Sequence, residues 1–146
     1  MRRLLEKTLG FTKILEDNLL VKQDLLVHFV KADAITRKFR LKEINIGFLS
    51  LQNCSNSFLL IQLGDANKFA LFTYDDVKEL FRKSTNGKSF LEFSFTIIPS
   101  ICEDCSTVAV IKNIDDIEER QQIAQVPILE KLDVALILGD YLCLTA

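Results

Sequence analysis

Between residues 88 and 99 the chain alternates two kinds of side chain with a period of two: Leu91, Phe93, Phe95 and Ile97 against Phe90, Glu92, Ser94 and Thr96. Only an extended strand sends successive side chains to opposite faces, so this segment requires a sheet with one face in a core, and a wholly helical fold is out of reach. Pro99 closes the segment, because proline has no N–H to give to a ladder. Around it, residues 58–63 and 68–72 are short apolar runs joined by Gly64, Asp65, Ala66 and Asn67, a turn composition. Phe39, Leu41, Ile44, Ile46, Phe48 and Leu51 alternate with polar neighbours and extend the expected sheet over 39–51, and residues 107–111 add another strand.

Helical signals occupy the remaining stretches. Residues 2–9 place Leu4, Leu5, Thr8 and Leu9 on one helical face, and Gly10 follows where a helix stops. From Phe11 onward the apolar residues come in pairs and triplets that fit neither period, and the expectation is helix first and strand from about Leu25, which makes 1–24 an N-terminal helical extension. Thr73, three residues ahead of Asp76, caps a helix expected to run through Lys83 with Val77, Leu80 and Phe81 on one face. Asn113 ahead of Asp115 and Asp116 opens another, running to about Gln125 before Pro127. The C-terminal stretch admits a helix over 127–138 stopped by Gly139, or a hairpin in which Gly139 and Asp140 turn between 134–138 and 141–145; the hairpin is favoured.

The expected fold is therefore α+β, an antiparallel or mixed sheet packed against two or three helices, in one domain over residues 1–146. A hydrophobic share of 49% against 26% charged residues excludes a disordered chain. Net charge is −2, so no global field draws the chain to nucleic acid or an anionic membrane. The longest apolar runs, such as 134–138, fall far short of the ~20 residues needed to cross a bilayer. Arg2 and Arg3 resemble the start of an export signal, but Glu6 and Lys7 interrupt the apolar segment, and a cytoplasmic or otherwise intracellular location is expected.

Five chemical possibilities stand in the sequence. Cys102 and Cys105 have the spacing of a zinc half-site, which Cys54 and Cys143 would have to complete, with His28 able to substitute for one. Ordinary reduced thiols are the expectation, since Glu103 and Asp104 raise rather than lower a thiol pKa. Residues 84–89 end like a phosphate-binding loop, but Arg82 stands where its first glycine belongs. His28, the sole histidine, sits among aliphatic residues and is expected to be structural, and the paired acids Asp75–Asp76 and Asp115–Asp116 lie at helix starts. Arg37, Lys38, Arg40 and Lys42 form the one basic cluster, whose alternate members would share a strand face and contact phosphates.

With no complete catalytic or cofactor motif, the sequence points away from an enzyme and toward a non-catalytic interaction or assembly subunit without a cofactor, self-associating or bound to a larger protein. The mean hydropathy of +0.20 is high for an isolated soluble chain and suggests apolar surface covered by a partner. The expected contact segment is the apolar C-terminal hairpin, through Val134, Leu136, Leu138, Tyr141, Leu142 and Leu144. The alternative is a small nucleic-acid-associated factor that uses the stripe at 37–42.

Overall fold

The computed structural model describes residues 1–14, 19–51, 56–64, 67–81, 89–99, 107–114 and 123–145. Among these, a five-stranded sheet has the order β1-β2-β3-β5-β6 and a four-stranded sheet the order β4-β7-β8-β9. The first contains β1 (Thr12–Ile14), β2 (Leu19–Lys22), β3 (Leu25–Ala32), β5 (Asn56–Leu63) and β6 (Phe69–Thr73). The second contains β4 (Lys38–Lys42), β7 (Phe90–Pro99), β8 (Thr107–Asn113) and β9 (Ile123–Pro127). Helix α1 (Glu43–Leu51) follows β4, α2 (Tyr74–Val77) continues into a 3₁₀ turn at Lys78–Leu80, and α3 (Lys131–Thr145) follows β9. The α+β expectation holds: the five-stranded sheet is mixed, with β3 and β5 parallel, and the four-stranded sheet is antiparallel.

The layers follow from the alternation of side chains along the central strands. On β5, Phe58 and Leu60 enter a cluster with Leu5, Leu20, Val27, Val134 and Leu138, which is the five-stranded sheet closing against α3 and an N-terminal helical turn at Leu4–Thr8. Their neighbours Leu59 and Ile61 enter another with Phe39, Leu91, Phe93, Phe95, Ala109 and Ile111, which is the same sheet closing against the four-stranded one. Both faces of β5 are buried, which is why its sequence is a continuous apolar run rather than an alternation. The order of layers is helix, five-stranded sheet, four-stranded sheet.

Four expectations need correction. The helix expected early in 11–24 is replaced by β1 and β2, with β1 paired antiparallel with β2 and β2 with β3. Leu19 and Leu20 are both fully buried, one toward Leu26 and Leu49, the other toward Leu25 and Val27, so this strand carries apolar residues on both faces and shows no period of two. The strand expected over 39–51 stops at Lys42, and α1 takes over; Asn45 and Leu49, four residues apart, turn inward while Ile44 stays exposed. The helix expected to reach Gln125 is contradicted at its end, where β9 pairs with β8 and turns Ala124 and Val126 inward. The C-terminal hairpin is a helix: Val134, Leu138 and Leu142 are buried against the sheet while Leu136, which a strand would turn to the same side as Val134 and Leu138, is 68% exposed.

The helix start at Thr73 is as expected. Its Oγ1 accepts from the Asp76 N–H at 3.2 Å, and the Asp76 carboxylate accepts from the Thr73 N–H at 3.0 Å, closing a capping box. This helix ends in the 3₁₀ turn at Lys78–Leu80, short of Lys83. Thr73→Ala is expected to lower the unfolding free energy by about 1 kcal/mol, with Thr73→Ser retaining most of it, as read from urea midpoints. A loss near zero for both would show that the cap contributes nothing.

Candidate interaction surfaces

α3 presents two unlike faces, both apolar. Val134 and Leu138 are 0% exposed and bind the helix to the five-stranded sheet, with Tyr141 set edge-on against Phe58 at 4.9 Å between ring centroids. On the opposite side Leu132 is 73% and Leu136 68% exposed, four residues and so one turn apart. Gly139, three residues after Leu136, adds a notch to the same stripe: a Cβ there would meet no atom of the chain within 4 Å. Asp133 and Asp140, seven residues apart, flank that stripe on one side, and both are exposed. A helix apolar on both sides is characteristic of one buried on both sides, yet here only one is covered among the described residues.

Of the six residues expected at an interface, Val134, Leu138 and Leu142 therefore belong to the chain's own core, and Tyr141 packs at its edge. Leu136 faces outward, and the Leu144 side chain lies outside the described residues. Leu132 is missing from the sequence-based expectation because it precedes the hairpin arms 134–138 and 141–145. Placing 131–145 on a helical wheel would have put Leu132, Leu136 and Gly139 together.

The four-stranded sheet also has one face without a cover among the described residues. Its inner residues Phe39, Leu91, Phe93, Ala109 and Ile111 are in the core, and their neighbours point away from it. Register places Lys38, Ser94, Lys112 and Ile123 in one row across β4, β7, β8 and β9. Thr96, Val110 and Gln125 form the next row. Ile98, Ile114 and Ile123 remain 40%, 40% and 56% exposed on this sheet and at its end.

The basic cluster divides. Lys38, Arg40 and Lys42 project from the outer face of β4, as its alternation expects. Glu92 on β7 bridges two of them, accepting from Arg40 Nε at 3.0 Å and lying 3.8 Å from Lys38 Nζ. The Arg40 guanidinium also lies over the Phe90 ring, 4.6 Å from its centroid. Arg37 does not join them. It adopts φ +57° at the β3–β4 corner and stands 5.9 Å from the ring of Phe95, a core residue. Asp33 builds this corner: its Oδ1 accepts from the Ile35 and Thr36 N–H groups at 2.8 Å, and these bonds, Thr36 first, hold its carboxyl below the usual carboxylate range.

Two grooves border these surfaces. One of about 650 Å³ is lined by Lys31, Asp33, Thr36, Lys38, Arg40 and Glu92. Another of about 440 Å³ lies between α1 and β7, with Ile44, Ile46, Phe81 and Leu91 around Glu43 and Ser50. His28 is buried in β3, in register with Leu19 on one side and Leu59 on the other, as expected of a structural histidine. Asp75 and Asp76 sit in the first turn of α2. The expected zinc residues Cys102 and Cys105 lie outside the described residues, as do Cys54, the side chain of Cys143, most of the loop at 84–89, and Asp115 and Asp116. Among the described residues no three His, Cys, Asp or Glu side chains converge. No described helix is long and apolar enough to cross a membrane.

Comparison with protein families, with curated proteins and with solved structures finds no match.

Proposed function

We propose that the chain is a non-catalytic interaction subunit that assembles with other protein through the outer face of α3. The observation that carries this is the pair Leu132 and Leu136, both more than two-thirds exposed on a helix whose opposite face already closes the core. Two large aliphatic side chains one turn apart, beside a glycine notch, form a continuous apolar stripe, and such stripes are favoured where a second surface removes them from water. Full burial of each leucine contributes on the order of 2 kcal/mol, so the pair is enough to anchor a contact whose rim is polar.

The test is the weight-average mass of the purified, reduced chain by light scattering over a concentration series. The wild-type mass is expected to rise with concentration. Leu136→Asp is expected to flatten that rise while leaving the thermal midpoint within a few degrees, because residue 136 has few neighbours to lose and surface changes are usually within about 0.5 kcal/mol. A wild-type mass equal to one chain at every concentration would remove the proposal.

A further inference from the structure

We infer that the partner of α3 is the open face of the four-stranded sheet of a second copy, so that chains add head to tail. The inference rests on the interaction reading above and names what the helix takes. Three layers are stacked in each chain, and the two outermost surfaces are unlike. One end is a helix with an exposed apolar stripe; the other is a sheet with no helix on it among the described residues. Within the chain, α3 already covers one sheet face through Val134, Leu138 and Leu142. The bare sheet face has room for the same kind of packing: α3, 15 residues, is about 22 Å long at ~1.5 Å per residue, and β7, 10 residues, spans about 33 Å at ~3.3 Å per residue.

Charge selects this arrangement over a pairing of two α3 helices. Asp133 and Asp140 are exposed along the helix and Glu130 stands just before it, with Lys131 as the one cation beside them among the described residues. The sheet face carries Lys38, Arg40, Lys42 and Lys112 with Glu92 as its acid among the described residues. Acid therefore meets base when helix docks on sheet. Asp133 and Asp140 lie on the same side of the apolar stripe, and antiparallel helices bring like sides together, so an antiparallel α3 pair would set carboxylate against carboxylate. Apolar groups match as well: Leu132 and Leu136 would meet Val110 and Ile123, which register places in adjacent rows of the outer sheet face. Because the two contacting surfaces differ, the interface does not close on itself, and the product is a ring or an open filament rather than a dimer.

A mixing experiment tests this. Leu136→Asp removes the helix surface and leaves the sheet, whereas Ile123→Asp removes the sheet surface and leaves the helix. Each variant alone is expected to run as a monomer where wild type runs as a larger species, with association weakened at least about tenfold. Mixed together they are expected to form a one-to-one heterodimer and nothing larger, since each supplies the surface the other lacks. Lys112→Glu gives a second sheet-face variant should Ile123→Asp prove unfolded by circular dichroism, and its effect is expected to shrink at high salt. If Leu136→Asp is monomeric but both sheet-face variants associate like wild type, the interaction reading stands and the head-to-tail inference is overturned. If the mixture stays monomeric, the surfaces are not complementary and the inference fails. A wild-type chain that is monomeric throughout removes both. A monomer that binds a single-stranded oligonucleotide with steep salt dependence, lost on Lys112→Glu, assigns the sheet face to nucleic acid instead.

Discussion

Leu138→Asp is expected to unfold the chain at room temperature, while Leu136→Asp, two positions away, leaves its circular dichroism unchanged. The Leu138 side chain is fully enclosed with Leu20, Val27, Phe58 and Leu60 between α3 and the five-stranded sheet. A carboxylate there would have neither water nor a cation, and several kilocalories per mole are lost whether it stays ionised or takes up a proton. Loss of the leucine's packing comes in addition, about 2 to 5 kcal/mol by itself, which Leu138→Ala measures separately. The sum approaches the whole stability of about 5 to 15 kcal/mol available to a domain of this size. Far-UV circular dichroism and urea titration of the three variants read the outcome; a folded Leu138→Asp would show that α3 does not cover the sheet.

The second large effect is expected at the contact between the sheets. Phe93 is fully buried on β7, its ring stacked on Phe39 at 5.3 Å between centroids and met edge-on by Phe81 at 5.9 Å. Phe39 and Phe93 stand opposite each other in register on β4 and β7, so the stack ties the edge strand of the four-stranded sheet to its neighbour. Phe81 follows the turn after α2 and reaches the same ring, so one side chain joins sheet and helix. Phe93→Ala is expected to lower the unfolding free energy by about 3 to 5 kcal/mol, with Phe93→Leu costing well under half of that. A loss below about 1 kcal/mol from Phe93→Ala would mean that the two sheets do not share this core. Asn113 serves as an internal comparison, because its side-chain amide donates to the Leu80 carbonyl at 2.8 Å and so joins β8 to the same turn by hydrogen bonding.

Strands with one wet face were legible in the sequence, and elements apolar on both sides were not. The alternation of β7 survives because Glu92, Ser94 and Thr96 point away from the core. By contrast, β2 and α3 carry apolar residues all round, and such runs have no period from which to tell strand from helix. The mistaken hairpin at the C-terminus came from Gly139 and Asp140, a good turn pair in isolation. In the folded chain the energy of seating Val134, Leu138 and Leu142 against the sheet exceeds the roughly 1 kcal/mol by which glycine weakens a helix. The same turn pair left Leu132 outside the expected hairpin arms, and so apart from Leu136 and Gly139, which the helix brings to one side.

By itself the sequence determined the presence of a sheet, the capped turn at Thr73, the inward set of β7 and the basic outward set of β4, because each depends on neighbours within a few residues and on the geometry of one element. Only the tertiary structure decided that there are two sheets rather than one, that β3 and β5 run parallel, and that Leu136 stands in water while Leu138 does not. Those outcomes depend on which apolar faces find each other across long stretches of chain. Burial stabilises any sufficiently apolar pairing, so the sequence pattern shows that faces must be covered, and the assembled layers show by what.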